Sequence, residues 1–334
     1  MSGGVDSTAA ASLLLDRGFQ CAAAHLVLFE GGGEAESARA AAARLGIPLH
    51  VFDMRDRFAK DVIARFTDSY LCGQTPNPCV ICNRHIKFGA LLDKATELGY
   101  EATATGHYAR LEYAGNRWLL RKALDETKDQ SYVLYTLTQG QLVRTRFPLG
   151  ELTKKQVREY ALSKAFPNAQ KSESQDICFI PDGDYGAFLE RCTGQPLCPG
   201  DFVDPQGRVL GRHRGTPRYT LGQRKGLGLA LPQPGYVCGI DPSNNTVTVG
   251  DEVLLFGKTL RARDINLIAC DALAQPLRCK AKIRYRQTEQ WATAEQTDAG
   301  TLLVTFDEPQ RAITPGQAVV LYDGDYVVGG GTIF

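Results

Sequence analysis

The sequence lacks the features that would point to a membrane or secreted protein. Its longest apolar runs, such as AAAHLVLF at residues 22–29, fall far short of the ~20 residues that a bilayer-spanning helix needs. No basic and then apolar signal peptide opens the chain, because Met1 leads directly into Ser2, Gly3 and Gly4. We therefore expect a cytoplasmic protein without a membrane partner.

The chain also lacks an excess of charge of either sign. Lys and Arg number 38 and Asp and Glu 37, so the formal net charge is +1. No overall field attracts nucleic acid, and any such affinity must come from local patches. With 334 residues, of which 43% are hydrophobic and 22% charged, we expect two or three domains with cores of ordinary size.

Helix and strand signals alternate in the first half of the chain. The pattern predicts helices at 7–17, 34–46 and 56–71 and strands at 21–29, 49–53 and 101–106. This alternation indicates an α/β domain with a parallel sheet. A further helix begins at Thr153, which forms a capping-box pattern with Gln156. After about residue 192 Gly, Pro and short alternating strands dominate, which predicts one or two small β domains.

An α/β sheet that opens on a Gly-rich loop normally has an apolar strand before that loop. Here nothing precedes Met1. We expect the start codon to lie further upstream, rather than the first strand to have been lost.

The segment SGGVDST, residues 2–8, has the character of a phosphate-binding loop. Its glycines let the backbone approach an anion, and the N–H groups at the start of the following helix stabilise it. Asp6 would repel phosphate unless a divalent cation intervened, which suggests Mg²⁺. The segment is neither a Walker A loop nor a GxGxxG motif. The plainer interpretation is a Ser/Gly turn that caps a helix.

Ten cysteines in a reducing compartment should be core residues, metal ligands or catalytic thiols rather than a disulfide framework. Cys79 and Cys82 have the spacing of half a zinc site, but Cys192 and Cys198 are too far apart to complete it. A thioredoxin-like redox pair is a second interpretation. Cys178, on a predicted strand or turn, would alone pass as a buried thiol.

Nine segments occur in the order seen in the tRNA-specific 2-thiouridylases, the MnmA/TrmU family of the PP-loop ATP pyrophosphatases. They are SGGVDST, GQTPNPCVICNRHIKF, TGHYAR, TKDQSYVLYTL, FPLGELTKKQVR, DICFIP, YTLGQRKGLG, KIRYRQT and ITPGQAVVLY. The match spans nearly the whole chain, which therefore resembles this family closely. It implies a PP-loop catalytic domain at 1–192, a small β-rich tRNA-binding domain at 193–253 and a C-terminal β-barrel at 254–334.

The activity implied by the resemblance is ATP-dependent conversion of uridine 34, the tRNA wobble base, to 2-thiouridine. ATP adenylates the C2 oxygen with release of pyrophosphate, and sulfur then displaces AMP. The implied cofactors are ATP and Mg²⁺, and the implied partners are tRNA with Lys, Glu and Gln acceptors and a sulfur donor such as a cysteine desulfurase or relay protein. We expect a monomer.

The family's functional residues are carried over by motif. The expected ATP-binding residues are Ser2, Gly3, Gly4, Val5, Asp6, Ser7, Thr8, Leu28 and Gly106. Cys178 matches the cysteine that carries the persulfide, and Cys82 matches its acid/base or resolving partner. Asn77, Pro78 and Cys79 match the segment that contacts the target base. The expected tRNA contacts are His107, Lys128, Asp129, Gln130, Arg284, Tyr285 and Gln317.

Cys79 departs from many family members, which have Asp at this position. Cys79, Cys82 and Cys178 could together hold a [4Fe–4S] cluster that leaves one iron open for sulfide. The alternative is a persulfide on Cys178. Both routes use Cys82 and Cys178, since sulfur attack needs an anionic nucleophile.

Two basic patches are predicted to contact tRNA phosphate. Between Pro205 and Ile240 there is no Asp or Glu, and Tyr219 and His213 lie among its basic residues: Arg208, Arg212, Arg214, Arg218, Arg224 and Lys225. In the second patch, Arg278, Lys280, Lys282, Arg284 and Arg286 alternate along a predicted strand whose other face, Cys279, Ala281, Ile283 and Tyr285, should enter a core. Tyr108 and Tyr132 are candidates for stacking on a flipped base.

Two other functions compete with tRNA thiolation. A PP-loop ligase for a small molecule would have no use for the basic patches or the cysteine pair. A non-catalytic Cys–metal RNA-binding module would leave SGGVDST unexplained.

Overall fold

The computed structural model describes residues 1–30, 35–166, 168–169 and 177–334. The predicted helix at 34–46 is therefore seen from Ala35, and the residues before Ile177 in the Cys178 motif lie outside the described ranges. Within those ranges no helix is both long and apolar enough to cross a bilayer.

The first part of the chain is an α/β unit with parallel strands, as predicted. Its elements are α1 (Val5–Asp16), β1 (Ala23–Val27), α2 (Ala35–Leu45), β2 (Leu49–Asp53), α3 (Arg55–Phe58), α4 (Ala64–Leu71), α5 (Pro78–Cys82), α6 (Leu91–Glu97), β3 (Thr103–Ala104), β4 (Arg110–Ala114), β5 (Arg117–Arg121), α7 (Gln139–Leu142), β6 (Thr145–Arg146), α8 (Lys154–Ser163) and α9 (Tyr185–Thr193). β1 pairs with β2 and β3 with β6, each in parallel.

Two helices of this unit contain π-helical segments. Ala59–Ile63 joins α3 to α4, so the predicted helix at 56–71 is continuous, and Asn83–Ala90 joins α5 to α6. The predicted strand at 101–106 shortens to Thr103–Ala104. The capping box at Thr153 is present, with its side chain accepting from the Gln156 amide.

The β-rich second half is also confirmed. A four-stranded sheet has the order β8–β7–β10–β9, formed by β7 (Gly200–Val203), β8 (Val209–His213), β9 (Tyr236–Asp241) and β10 (Thr246–Gly250). The C-terminal strands are β11 (Phe256–Leu267), β12 (Leu277–Lys282), β13 (Gln290–Asp298), β14 (Thr301–Arg311), β15 (Ala318–Asp323) and β16 (Tyr326–Ile333). They form a closed six-stranded barrel, since β11 pairs with both β14 and β16.

The barrel is attached to the α/β unit through β5. The backbone of Arg121 pairs with Tyr326 of β16, which extends the barrel sheet by the β4–β5 hairpin. Asp325 accepts from the guanidinium groups of Arg110 at 2.9 Å and Arg121 at 3.4 Å. A shared sheet and a charge cluster therefore hold the barrel beside the catalytic half.

Candidate active site

The phosphate loop is shaped by hydrogen bonds to one carbonyl. Gly3 has a φ of +75°, and Gly4 is the N-cap of the twelve-residue α1. The hydroxyls of Ser7 and Thr8 each donate to the Gly4 carbonyl at 3.1 Å. The free N–H groups of the helix start stabilise an anion there.

Not all residues of the loop face the same side. Ser2, Gly4, Val5, Asp6 and Ser7 line a large cavity of about 2610 Å³. Thr8 is fully buried and accepts from Nδ2 of Asn168 at 2.9 Å, and the same amide donates to the Gly3 carbonyl at 3.0 Å. Thr8 and Gly3 do not line the cavity, and their bonds to Asn168 hold the loop in place from its other side. Sequence reasoning missed Asn168, since no motif marks it.

Asp6 has a cationic partner that sequence reasoning also missed. Nζ of Lys154 lies 2.7 and 2.8 Å from its two carboxylate oxygens, and the hydroxyl of Tyr108 donates to Oδ1 at 2.9 Å. Lys154 is the first residue of α8 and its side chain is 9% exposed, whereas that of its neighbour Lys155 is 86% exposed. Two adjacent lysines look alike in a sequence, and only the fold distinguishes them.

The donor set at this end fits Mg-ATP. Carboxylate, hydroxyl and phosphate oxygens are the ligands that Mg²⁺ takes, and Asp6 with the Ser7 hydroxyl supplies the protein's share. Asp6 would share its charge between that ion and Lys154.

Gly106 allows the loop to pack closely on the segment that follows β3. A Cβ there would lie 2.7 Å from the Asp6 carbonyl carbon and 2.9 Å from the Ser7 nitrogen. Leu28, half-buried, lines the same cavity. These positions agree with an ATP site.

His107 is buried between the rings of Phe88 and Phe147, at 5.8 and 6.1 Å between ring centroids. Its Nδ1 is 2.8 Å from the Thr105 hydroxyl. Burial holds the pKa of His107 well below its usual value, and the positive charge of Lys87 lowers it further. His107 is therefore a neutral hydrogen-bonding group on the cavity wall.

The segment TPNPCVIC forms the start of a helix. The Asn77 side chain accepts from the Cys79 amide at 3.1 Å and Pro78 occupies the first turn, as at a helix N-terminus. Cys79 is exposed in that first turn, and Cys82 is buried at its end. Burial raises the pKa of Cys82 to about 11, opposed by Lys87 and reinforced by Cys178 and Cys79.

Cys178 lies on a turn in which the Ile180 amide donates to the Ile177 carbonyl at 2.9 Å. Together with Cys79 and Asn77 it lines the cavity that begins at the phosphate loop. Cys178 is exposed to solvent on one side, yet the protein around it desolvates the thiol enough to raise its pKa, and Cys79 adds to this effect. The mutual influence of the three thiols shows that the fold gathers residues from two distant segments.

The three thiols do not form a metal-ligand set. In the part of the chain that the structure describes, which includes all three, no group of three His, Cys, Asp or Glu side chains is placed to hold a metal ion. The arrangement therefore does not fit the predicted cluster, and the cluster stays a prediction from the sequence.

The barrel contributes to the same cavity. The Gln317 side-chain amide donates to the Thr75 carbonyl at 2.6 Å, and the Thr75 amide donates to the Pro315 carbonyl at 2.8 Å. These bonds fix the segment just before Asn77. Tyr285 lines the same cavity as Cys79. Burial raises the pKa of Tyr285, and Asp129 and Cys79 add to this effect.

The segment 128–130 lines the same cavity as Cys79 and Cys178. Gln130 Oε1 accepts from the Tyr108 amide at 3.0 Å. The Asp129 carboxylate accepts from the amides of Ala123 and Ser131 and from the Ser131 hydroxyl, at 2.9, 3.2 and 2.7 Å. Asp129 thus orders the turn that presents Lys128 and Gln130.

The predicted five-residue basic strand is partly wrong. β12 ends at Lys282, because the Ile283 amide donates to Gln287 Oε1 at 3.1 Å and a turn follows. Cys279, Ala281 and Ile283 are buried as predicted, but Tyr285 is 36% exposed. Arg278 is held by both carboxylate oxygens of Asp307 at 2.6 Å. Four of the five basic residues line the cavity: Lys280, Lys282, Arg284 and Arg286.

Several arginines of the central basic patch are paired with carboxylates, which the sequence did not indicate. Carboxylates from outside the segment pair with its arginines: Asp204 with Arg208 at 2.5 Å, Asp201 with Arg212 at 2.9 Å, and Asp184 and Glu190 with Arg218 at 3.2 Å each. His213 and Tyr219 are 1% and 4% exposed and pack on Phe202. They belong to the core of this sheet and not to an RNA-binding face.

Tyr108 and Tyr132 also have no exposed ring face. They are 3% and 0% exposed, and the Tyr132 hydroxyl donates to the Ala318 carbonyl at 2.8 Å. The fold therefore does not support base stacking by Tyr108 or by Tyr132.

Comparison with known proteins extends these observations. Residues 1–182 match the family described as tRNA methyl transferase HUP domain, residues 186–251 the tRNA methyl transferase PRC-barrel domain, and residues 257–333 the aminomethyltransferase beta-barrel domain. The chain is 50% identical to the tRNA-specific 2-thiouridylase MnmA of Moorella thermoacetica over 348 residues, covering 100% of this chain and 98% of that protein. It is 48% identical to the protein of the same name from Acetivibrio thermocellus, covering 100% and 97%.

These matches include the phosphate loop, the cysteine segments and the barrel within one continuous alignment of the chain. The chain belongs to the family of tRNA-specific 2-thiouridylases, MnmA, and is a tRNA-modifying transferase.

Proposed function

We propose that the chain converts uridine 34 of tRNA to 2-thiouridine with ATP, and that Cys178 carries the sulfur as a persulfide. One observation carries this proposal: the phosphate loop, Asn77 with Cys79, Cys178 and the basic end of the barrel line a common cavity. A nucleotide, a base and a sulfur carrier need to meet in such a space.

The first step is adenylation. The C2 oxygen of the uracil attacks the α-phosphorus of ATP, the bond to the β-phosphate breaks, pyrophosphate leaves and N3 loses its proton. The loop and the N-terminus of α1 bind the leaving phosphates. When bound, Mg²⁺ supplies charge neutralisation to them.

The second step is sulfur transfer. The terminal sulfur of the Cys178 persulfide forms a bond to C2, and the C2–O bond breaks with loss of AMP. The Cys82 thiol then attacks the Cys178 sulfur and gives its proton to N3. The sulfur–sulfur bond breaks, 2-thiouridine leaves and a Cys82–Cys178 disulfide remains. An external thiol reductant supplies the two electrons that reopen it.

Buried Cys82 suits the resolving role. Its pKa of about 11 keeps it protonated near neutral pH, so it holds the proton that N3 needs and does not compete with the persulfide as nucleophile. A cluster on Cys79, Cys82 and Cys178 would give Cys79 a role, but the described side chains do not form its ligand set.

The partners of this reaction are a tRNA and a sulfur donor. We expect tRNAs with Lys, Glu and Gln acceptors, bound by Lys280, Lys282, Arg284 and Arg286 with the segment 128–130. A cysteine desulfurase or a relay protein would load Cys178 in the cytoplasm.

Pyrophosphate release tests the proposal. With Mg-ATP, release should require a tRNA that has uridine at position 34 and should fall to background with the same tRNA bearing cytidine there. A chain that releases pyrophosphate equally well without tRNA would instead be a small-molecule ligase. A chain that binds tRNA but releases none would be a binding module.

A further inference from the structure

Lys87 is a half-buried cation that lines the cavity, and the roles assigned above do not use it. It lines the cavity together with Asp6, His107, Cys79 and Cys178. Among the residues that the structure describes, no carboxylate pairs with its ammonium group. Lys154 and Lys122, on the same wall, are bound to Asp6 and Glu289 at 2.7 and 2.6 Å.

The π-helical segment explains this position. Cys82 is the residue that precedes Asn83–Ala90, and Lys87 follows it by five residues. In a π-helix the residues i and i+5 share a face, whereas an α-helix would align i and i+4. The segment thus brings the ammonium group to the face that carries Cys82, and π-bulges are frequent at functional sites.

The electrostatic reach of Lys87 agrees with this placement. Its charge lowers the pKa values of Cys82, Cys178, His107 and the Met1 amino group, which belong to four separate segments. The ammonium group therefore lies within electrostatic range of both the cysteines and the start of the chain beside the phosphate loop. A partly desolvated charge without a counter-ion is costly, so the site is prepared for an anion.

We propose that Lys87 binds the phosphate of the adenylated base, and of the AMP that leaves it, through a charge-assisted hydrogen bond. This proposal rests on the proposed function, because only an adenylate places a phosphate between the loop and the base-contacting segment. The nearest alternatives are already engaged: Lys154 neutralises Asp6, and His107 is neutral. The bond strengthens as AMP leaves, since the phosphate gains negative charge when the C2–O bond breaks.

The test compares AMP with adenosine, which differ by the phosphate alone. Isothermal titration measures both affinities for the full chain and for Lys87→Met, Lys87→Gln, Lys87→Arg and Lys94→Met. Lys94 lies seven residues further along the chain, in α6, is 47% exposed and pairs with Glu97, so Lys94→Met is the matched control.

We expect Lys87→Met and Lys87→Gln to weaken AMP binding about 10- to 100-fold, the loss of one hydrogen bond between charged groups, with adenosine affinity unchanged within about twofold. Lys87→Arg should retain most of the preference for AMP over adenosine, and Lys94→Met should retain all of it. Removing a charge that lacks a counter-ion should leave the melting temperature of both neutral variants equal or higher. A loss of AMP binding in both of them can then not be attributed to misfolding of one variant.

AMP affinity that is unchanged in both neutral variants would overturn the proposal and leave Lys87 serving the cysteines alone. The same conclusion follows if the unmodified chain binds AMP no better than adenosine. An intact preference for AMP that depends on Lys87, combined with no pyrophosphate release on tRNA, would instead refute the proposed function and keep the phosphate site.

Discussion

Nζ of Lys154 lies within 2.8 Å of both carboxylate oxygens of Asp6, across 148 residues of sequence. The pair joins the start of α8 to the phosphate loop. It resolves the difficulty that a carboxylate in a phosphate site would otherwise repel its ligand.

Lys154→Met should therefore reduce tRNA-dependent pyrophosphate release by about 10²- to 10³-fold, because the Asp6 carboxylate would lose its cationic partner and repel the phosphates, and preorganised charge beside a reacting group is worth about that much. Lys155→Met, one residue away and 86% exposed, should leave release unchanged within about twofold. Equal rates for the two variants would show that the Asp6 contact has no part in ATP use.

Gly106→Ala should lower ATP affinity at least about tenfold, because a methyl group 2.7 Å from the Asp6 backbone must displace the loop. Gly140→Ala is the control, since its added Cβ meets nothing closer than 4.0 Å. Equilibrium binding of a non-hydrolysable ATP analogue checks both. Normal binding by Gly106→Ala would mean that the loop tolerates a shift.

The raised pKa of Cys82 predicts a pH dependence of stability. The folded chain keeps the thiol protonated up to about pH 11, because burial raises its pKa, while the unfolded thiol loses its proton near its ordinary pKa of 9.0. The contribution of Cys82 to the free energy of unfolding is thus fully present below pH 9. It is lost as the pH rises to 11, a decrease of up to about 3 kcal/mol.

Urea unfolding at pH 8 and pH 10.5 measures this effect. The difference between the unfolding free energies of the unmodified chain and Cys82→Ala should shrink at the higher pH. Cys192→Ala, at an exposed position, should show no such change. If the unfolding free energies of the unmodified chain and Cys82→Ala differ by the same amount at both pH values, the thiol is not held protonated by burial.

The barrel's lysines should carry the salt dependence of tRNA binding. Lys280→Met combined with Lys282→Met should weaken binding and reduce the slope of log K against log salt by about 1.5 to 2, from two lost phosphate contacts. Arg278→Met, whose charge is already balanced by Asp307, should change the slope far less. If the double-lysine variant and Arg278→Met have equal slopes of log K against log salt, the tRNA phosphates do not contact Lys280 and Lys282.

Local features of the site were predictable from the sequence. The phosphate loop at the start of α1 and the capping box at Thr153 each depend on neighbouring residues. Family resemblance added the cysteines and the barrel contacts, and the structure places Asn77, Cys79, Cys178 and Tyr285 on one cavity.

What the sequence could not show are contacts across the fold. Lys154 reaches Asp6, Asp307 neutralises Arg278, and Asp201 holds Arg212, each through residues of separate elements. Alternation correctly predicted the buried Cys279 and Ala281, but the side-chain bond from Gln287 ends the strand that the pattern extends. A π-helical segment, which places Lys87 with Cys82, has no periodic signature of its own.

The central claim is that Cys178 carries the sulfur. Nucleoside mass spectrometry on unmodified tRNA, with Mg-ATP and a persulfide donor under anaerobic conditions, tests it with iron-free and iron-reconstituted chain. The account predicts equal 2-thiouridine from both preparations, none from Cys178→Ser, and normal yield from Cys192→Ser. If only the iron-loaded chain makes 2-thiouridine, and Cys79→Ser abolishes it, the sulfur is held on a cluster and the persulfide account is contradicted.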